Sequence, residues 1–235
     1  MGMPEDLAEQ LLSGVVDGKY AVESLLPPEG DLAREYGVSR LTIREAVRIL
    51  RSKNVFVIHR GRGTLVNRPE HWTSLKAIVR HAAKGDSAAG VSERLLEARA
   101  IVEIGATQLA ATRRSDEDLA QLQTCLDEMV AGADASDVSL FVDADISFHD
   151  VIMRASGNIF VPFMFEPFGQ LLRHTRAQTS AVPEIQRHAI EQHRIILDCL
   201  ASGHEEPARE AMEAHMQQTR TDLQDYVRSH IPSLG

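Results

Sequence analysis

Aromatic side chains are scarce in this chain, at 5% of 235 residues, and Trp72 is the one tryptophan. A core cannot rest on ring stacking here, so it must be aliphatic. The apolar content of 43% supplies it, and such a composition suits helix-on-helix packing. Cysteine is nearly absent: Cys125 and Cys199 lie far apart and form no Cys-x-x-Cys pair. That argues against a structural disulfide and for a reducing compartment. There is no signal peptide and no apolar run long enough for a bilayer, so a soluble, cytoplasmic protein is expected. Strand signals are missing beyond residue 73, as are internal repeats and low-complexity tracts.

What the chain does carry is charge gathered in one place. The net charge is −9, yet residues 1–70 hold ten basic and ten acidic side chains. The acidic surplus therefore belongs to residues 71–235. Within Ser39–Arg68 there are eight Lys or Arg against one acid, Glu45. The same stretch has a recognisable order. A short apolar-periodic segment ends at Gly37, and Ser39 can cap the helix that follows. Ile43, Ala46, Val47 and Leu50 give that helix a buried face, while Arg40, Arg44, Arg48 and Arg51 fall on a neighbouring one. Val55–His59, the turn Gly61-Arg62-Gly63 and Thr64-Leu65-Val66 read as a hairpin with a basic tip. A tight turn between two helices, then a wing, predicts a helix-turn-helix that reads a nucleic acid duplex. A charge run alone would fit a solvated surface as well.

Leu26-Pro27-Pro28-Glu29, Leu32-Ala33, Gly37-Val38-Ser39-Arg40, Thr42-Ile43-Arg44-Glu45-Ala46, Leu50 and Gly61-Arg62-Gly63-Thr64 together resemble the winged helix-turn-helix of the GntR family of bacterial transcriptional regulators. The resemblance covers roughly residues 8–68. It implies that Ser39, Arg40, Leu41, Thr42 and Arg44 read bases and phosphates, with Arg60, Gly61 and Arg62 at the minor groove or backbone. One position departs. The family carries an Arg after the Glu of its Pro-x-Glu turn, and this chain has Gly30, so either a contact is lost or the operator differs.

Asn67-Arg68-Pro69-Glu70 reads as a linker, which predicts domains at 1–69 and 70–235. Trp72 is expected to anchor the linker. Helices are expected at about 73–84, 91–113, 116–131, 137–156, 159–179, 184–202 and 206–229, making an all-α bundle of six or seven helices behind the head. Ser115 and Asp118 form a candidate capping pair. Some polar residues point inward. Asp145 and His149 lie one turn apart on the stripe of Phe141, Phe148 and Ile152. His193 sits among Ile190, Ile196, Leu197 and Leu200, and His215 among Ala208, Ala211 and Met212. His188 falls off its stripe, and His204 sits in a turn. A buried carboxylate must be paired or coordinated. One Asp with three His suits a borderline divalent ion, Zn²⁺ first, with Ni²⁺ or Mn²⁺ as alternatives. A hydrogen-bonded core would also account for them.

Asp145-Ile146-Ser147-Phe148-His149, Ala155-Ser156-Gly157-Asn158, Glu191-Gln192-His193 and Met212-Glu213-Ala214-His215 resemble the FCD ligand-binding domain of FadR-type GntR regulators. This second resemblance implies Asp145, His149, His193 and His215 as metal ligands. It also implies a small organic acid effector, clamped by Arg99 of Leu96-Glu97-Ala98-Arg99 through its two-pronged guanidinium. Asn158 is a candidate for hydroxyl contacts or for a helix cap, and Arg173 and Arg220 are further cavity candidates. The expected function is a ligand-responsive repressor, a homodimer on a palindromic operator. The alternative is a hydrolase-like metalloenzyme with an accessory DNA-binding head, although no His-Glu-x-x-His helix is present. A regulator whose histidines bind effector without metal is a third reading.

Overall fold

Leu7, Leu11, Leu12 and Val15 share one face of the first helix, α1 (Met3–Val16), and all four are buried. In this computed structural model residues 3–85, 88–165, 173 and 176–230 are described. They fall into two units, Met1–Val91 and Ser92–Gly235.

In the first unit, α2 (Glu29–Tyr36) stops at Gly37, whose left-handed backbone (φ 65°) returns its N–H to the Ala33 carbonyl. A residue with a Cβ would be strained there. Ser39 then caps α3 (Arg40–Ser52), its hydroxyl accepting from the Thr42 N–H at 3.1 Å. Ile43, Ala46, Val47 and Leu50 turn inward and join Leu11, Leu12 and Leu32 in one core. The wing follows as expected. Strands β1 (Phe56–His59) and β2 (Gly63–Val66) pair antiparallel, with Phe56 opposite Val66 and His59 opposite Gly63. The segment before α2 adds to the sheet edge. Leu25 bridges Leu65, and the Leu26 N–H donates to the Thr64 carbonyl at 2.8 Å.

Trp72 is buried and its indole N–H donates to the Asn67 carbonyl at 3.1 Å, which ties the segment after the wing to the core. Helix α4 (Leu75–Gly85) lies in the same unit. Arg80 reaches Ser13 Oγ at 2.8 Å, Lys76 pairs with Glu9 at 2.9 Å, and Lys84 donates to the Val16 carbonyl at 2.6 Å. These contacts hold α4 to α1. Residues 67–70, read as a linker, lie within the first compact unit, which extends to Val91.

The second unit is helical throughout its described residues. It comprises most of α5 (Ala88–Arg113), then α6 (Asp116–Asp134), α7 (Val138–Ala155), α8 (Phe160–Phe165), α9 (Pro183–Ser202) and α10 (Glu205–His230). The expected helix at 159–179 appears as α8 and a helical stretch at 176–179. Residues 166–172, 174 and 175 of that expected helix lie outside the described residues. Ser115 and Asp118 form a reciprocal capping box at the start of α6, and Gly203 closes α9 in the left-handed region. Leu122, Phe148, Ile152, Ile196 and Met212 come from four helices into one core.

A close approach holds the α6–α7 hairpin together. A Cβ on Gly132 would lie 2.8 Å from the Phe141 backbone nitrogen and 3.2 Å from the Asp137 carbonyl oxygen. Backbone cannot give way as a side-chain tip can. Gly132→Ala is therefore expected to destabilise the protein by about 1–3 kcal/mol through overpacking. Urea unfolding checks this, and an unchanged midpoint would show that the hairpin has slack.

Candidate functional site

The first site is the exposed face of α3 and the wing. Ser39, Arg40, Leu41 and Arg44 are solvent-exposed and Thr42 half-buried, while Arg60, Gly61 and Arg62 are exposed at the hairpin turn. All eight residues expected to face DNA are therefore accessible. Leu41 is 66% exposed at the start of α3, an apolar contact of the kind that meets a thymine methyl. Arg44 pairs with Glu29 at 2.9 Å, and Arg48 with Glu45 at 2.7 Å. Both pairs are exposed and so worth little to the fold. Gly30 has a local reason. A Cβ there would come within 3.1 Å of Arg40 Nη2 and 3.3 Å of its Cζ. The missing side chain leaves room for the Arg40 guanidinium to lie beside the start of α2.

The second site lies in the helical unit. His149 on α7, His193 on α9 and His215 on α10 are buried, and one nitrogen of each lies within 4.8 Å of the others. Asp145, one turn before His149, has Oδ1 3.1 Å from His193 Nε2 and 3.8 Å from His149 Nε2. The four residues read from the sequence as inward-facing do converge. Their ring orientations are set from outside. His193 Nδ1 lies 2.7 Å from the Ala189 carbonyl, so that nitrogen carries the proton. His149 Nδ1 faces Glu103 Oε2 at 2.6 Å. In both rings this leaves the Nε2 lone pair turned inward.

Two charged residues at this site were not read from the sequence. Glu103 is fully buried on α5 and also accepts from Arg99 Nε at 2.7 Å. Arg176 is buried and ion-paired to Asp145. Arg99 and Glu103 sit at i and i+4, as Asp145 and His149 do, but α5 has no clean apolar stripe to mark that face as inward. Arg176 had no such signal, since its partner is 31 positions away in sequence.

Burial and charge together set the protonation states. Burial alone would raise the Glu103 carboxyl, but Arg99 and His149 hold it below the ordinary carboxylate range. Asp145 is likewise held down against its burial by Arg176, His193 and His149. Burial, with Arg176 beside it, pushes the His149 imidazole down to about 4 despite Glu103. Burial and the neighbouring His193 and His149 push His215 down as well. At neutral pH the site therefore offers an ionised Asp145 carboxylate and the neutral imidazoles of His149 and His215, the forms that bind metal. The Nε2 atoms of His149, His193 and His215 are buried and make no hydrogen bond among the described residues. Unsatisfied buried acceptors are costly, and three converging on one point beside a carboxylate fit a divalent cation.

A histidine whose folded value lies below 6.5 takes up its proton in the unfolded chain first. Its penalty is absent above pH 6.5, grows as pH falls, and is complete near pH 4 for His149. That residue alone would cost about 3 kcal/mol at pH 4. The metal-stripped protein is expected to lose roughly 10 °C in melting temperature between pH 7 and pH 4.5. A flat profile across that window would contradict neutral burial of these rings.

Beside the cluster lies a cavity of about 70 Å³, bounded by Arg99, Asp145, Arg176, His188, Gln192 and His215 among others. Since a water needs ~10–15 Å³ of such space, the cavity suits a molecule of a few carbons. Arg99 lines it, as expected of an effector contact. The other expected contacts do not. Asn158 is exposed, and its Oδ1 accepts from the Phe160 N–H at 3.1 Å, capping α8. Arg173 is half-exposed and paired to Asp143. Arg220 is half-buried with Gln217 as a partner at 3.4 Å. His188, set aside from the sequence because it leaves its apolar stripe, does line the cavity.

Known families match both parts of the chain. The family described as bacterial regulatory proteins, gntR family, matches residues 4–66, and the FCD domain matches residues 94–218, more than half of the chain. The putative L-lactate dehydrogenase operon regulatory protein of Escherichia coli (strain K12) is 27% identical over 229 residues, covering 95% of this chain and 87% of its own. The galactonate operon transcriptional repressor of the same organism is 28% identical over 199 residues, covering 84% and 86%. The solved structure of Lar from Listeria monocytogenes shares the fold, with a TM-score of 0.65 at 20% identity over 96% of this chain and 98% of that one. No helix among the described residues is long and apolar enough to cross a membrane. These relatives are transcriptional regulators and not enzymes, and the chain belongs with them: it is a member of the GntR family that carries an FCD domain behind its winged helix-turn-helix.

Proposed function

We propose that this chain is a metal-dependent, acid-responsive repressor of the FadR subfamily, acting in the cytoplasm as a homodimer on a palindromic operator. Asp145, His149, His193 and His215 hold the ion, Zn²⁺ before Ni²⁺ or Mn²⁺, since imidazole and carboxylate donors suit a borderline cation. The observation that carries this reading is the set of three buried Nε2 atoms that make no hydrogen bond among the described residues, beside Asp145. When bound, the ion offers a Lewis-acidic centre to a carboxylate in the adjoining cavity. Arg99 and Arg176 line that cavity and supply positive charge for the same group. Two relatives are named for lactate and galactonate operons, which accords with a small organic acid as effector. Ser39, Arg40, Leu41, Thr42 and Arg44 read the major groove, and Arg60, Gly61 and Arg62 hold the backbone or minor groove.

Acid binding lowers operator affinity by favouring the dimer state that binds DNA less well. The test is operator binding measured by fluorescence anisotropy across the chain's own promoter region, with and without small carboxylates. Protection of a palindromic site that an acid releases in the zinc-loaded protein alone supports the reading. Release by the same acid in chelated protein would assign the pocket to the histidines without metal.

A further inference from the structure

The two oxygens of Asp145 have different partners. Oδ1 faces the histidines, 3.1 Å from His193 Nε2 and 3.8 Å from His149 Nε2. Oδ2 carries the ion pair with Arg176 Nη1. Both side chains are buried, so solvent ions screen the pair little. Arg176 is also held through its backbone. Its carbonyl accepts from the Ser180 N–H at 2.8 Å, and the Ser180 carbonyl accepts from Gln186 Nε2 at 2.7 Å, in the first turn of α9. Ser180 and Gln186 are themselves buried. The other cavity arginine is committed elsewhere: Arg99 donates from Nε and Nη2 to Glu103, at 2.7 and 3.4 Å. Pairing with Asp145 therefore falls to Arg176, which lines the cavity beside it.

This split decides how many donors the chain brings to one point. Three Nε2 atoms and Oδ1 make four. A zinc ion held by four ligands can expand to five, and octahedral ions take six. Were Asp145 to offer both oxygens, the second would occupy a position that a carboxylate from the cavity needs. A partner bonded to the outer side of a metal ligand fixes that ligand's orientation, and a guanidinium on Oδ2 opposes its rotation toward the histidines. We infer that Arg176 is a positioning residue: by holding Oδ2 it limits Asp145 to one donor oxygen and keeps a coordination position open to the acid. A plain counter-ion would explain the pairing too, yet replacing it would cost stability without altering the donors. The inference rests on the metal-dependent, acid-sensing reading above and assigns what keeps that site accessible to its ligand.

Cobalt(II) makes the donors visible, because its d–d absorption responds to their number and kind, whereas d¹⁰ zinc has no such band. The cobalt-loaded full chain is titrated with acetate and with lactate, followed by absorption and by calorimetry. In the wild type the bound acid is expected to change the band. Arg176→Met frees Oδ2, so its band should differ from the wild type's before any acid is added. Acid should then bind it about 10–100-fold less tightly and leave the band unmoved. Arg176→Lys keeps a cation for Oδ2 and should retain the wild-type band. An acid-free band in Arg176→Met identical to the wild type's, or one altered as much in Arg176→Lys, overturns the inference. So does acid that binds the wild-type cobalt protein without moving its band, a result that needs no variant to fold and leaves metal-dependent acid sensing standing. Failure of the wild type to take up cobalt or zinc, or of both acids to bind the loaded protein, overturns the acid-sensing reading as well.

Discussion

Chelation of the purified protein is expected to lower its melting temperature by roughly 10 °C, and one equivalent of Zn²⁺ per chain to restore it. The magnitude follows from linkage. An ion present at ~1,000 times its dissociation constant stabilises the folded state by about 4 kcal/mol, and each kcal/mol moves the midpoint of a chain this size by about 2–4 °C. Without the ion, three imidazole lone pairs and the Asp145 carboxylate crowd one buried point. Arg176, paired to Asp145, offsets part of that charge. His193 is the best residue to test, being fully buried with Nδ1 committed to the Ala189 carbonyl. In His193→Gln the zinc-dependent rise should fall to less than 2 °C. The variant's own stability needs a separate reading, because the ring also packs against Phe148 at 4.5 Å between centroids. A drop in basal melting temperature with the zinc response intact would mean that the ring is core and not ligand.

Replacing Arg40 and Arg44 together by alanine is expected to weaken operator binding at least 100-fold while leaving the melting temperature within about 2 °C. Neither side chain is buried, and the Arg44–Glu29 pair is exposed, so the fold loses little. On DNA each guanidinium that reads a base is worth about 1–3 kcal/mol, and each lost phosphate contact lowers the salt slope by about one. Anisotropy titrations at several salt concentrations separate the two roles. Gly30 sharpens the test. A methyl at that position would press on Arg40, so Gly30→Ala should shift the Arg40 guanidinium and cost affinity without touching stability. Operator affinity that survives the double substitution would place the reading surface elsewhere.

Several parts of this arrangement are legible in the sequence alone. Ser39 as a cap, Gly37 as a stop and Ser115 with Asp118 as a capping box depend on neighbours three or four residues away, so local chemistry reveals them. The inward turn of Asp145, His149, His193 and His215 could be read because each helix has a clean apolar stripe. Helix α5 has none. Leu95, Leu96, Ile101, Val102 and Ile104 go round it, and Ile101 is 75% exposed, so periodicity did not say that Glu103 points inward. Arg176 and His188 were missed for another reason. Their partners, Asp145 and Asp222, lie on other helices, and such pairing leaves no mark in either segment alone. Pro69 resembles a linker in the sequence, whereas Arg80, Lys76 and Lys84 bind α4 back to α1 through contacts of more than 60 residues' separation, which no local pattern reveals.

X-ray absorption at the zinc edge of the loaded, full-length protein bears most directly on the central assignment. Three histidine nitrogens are expected at about 2.0–2.1 Å with carboxylate or water oxygens at a similar distance, and one imidazole is expected to be lost in His193→Gln. A sulfur shell at about 2.3 Å, implicating Cys125 or Cys199, or a spectrum unchanged by that substitution, would contradict it.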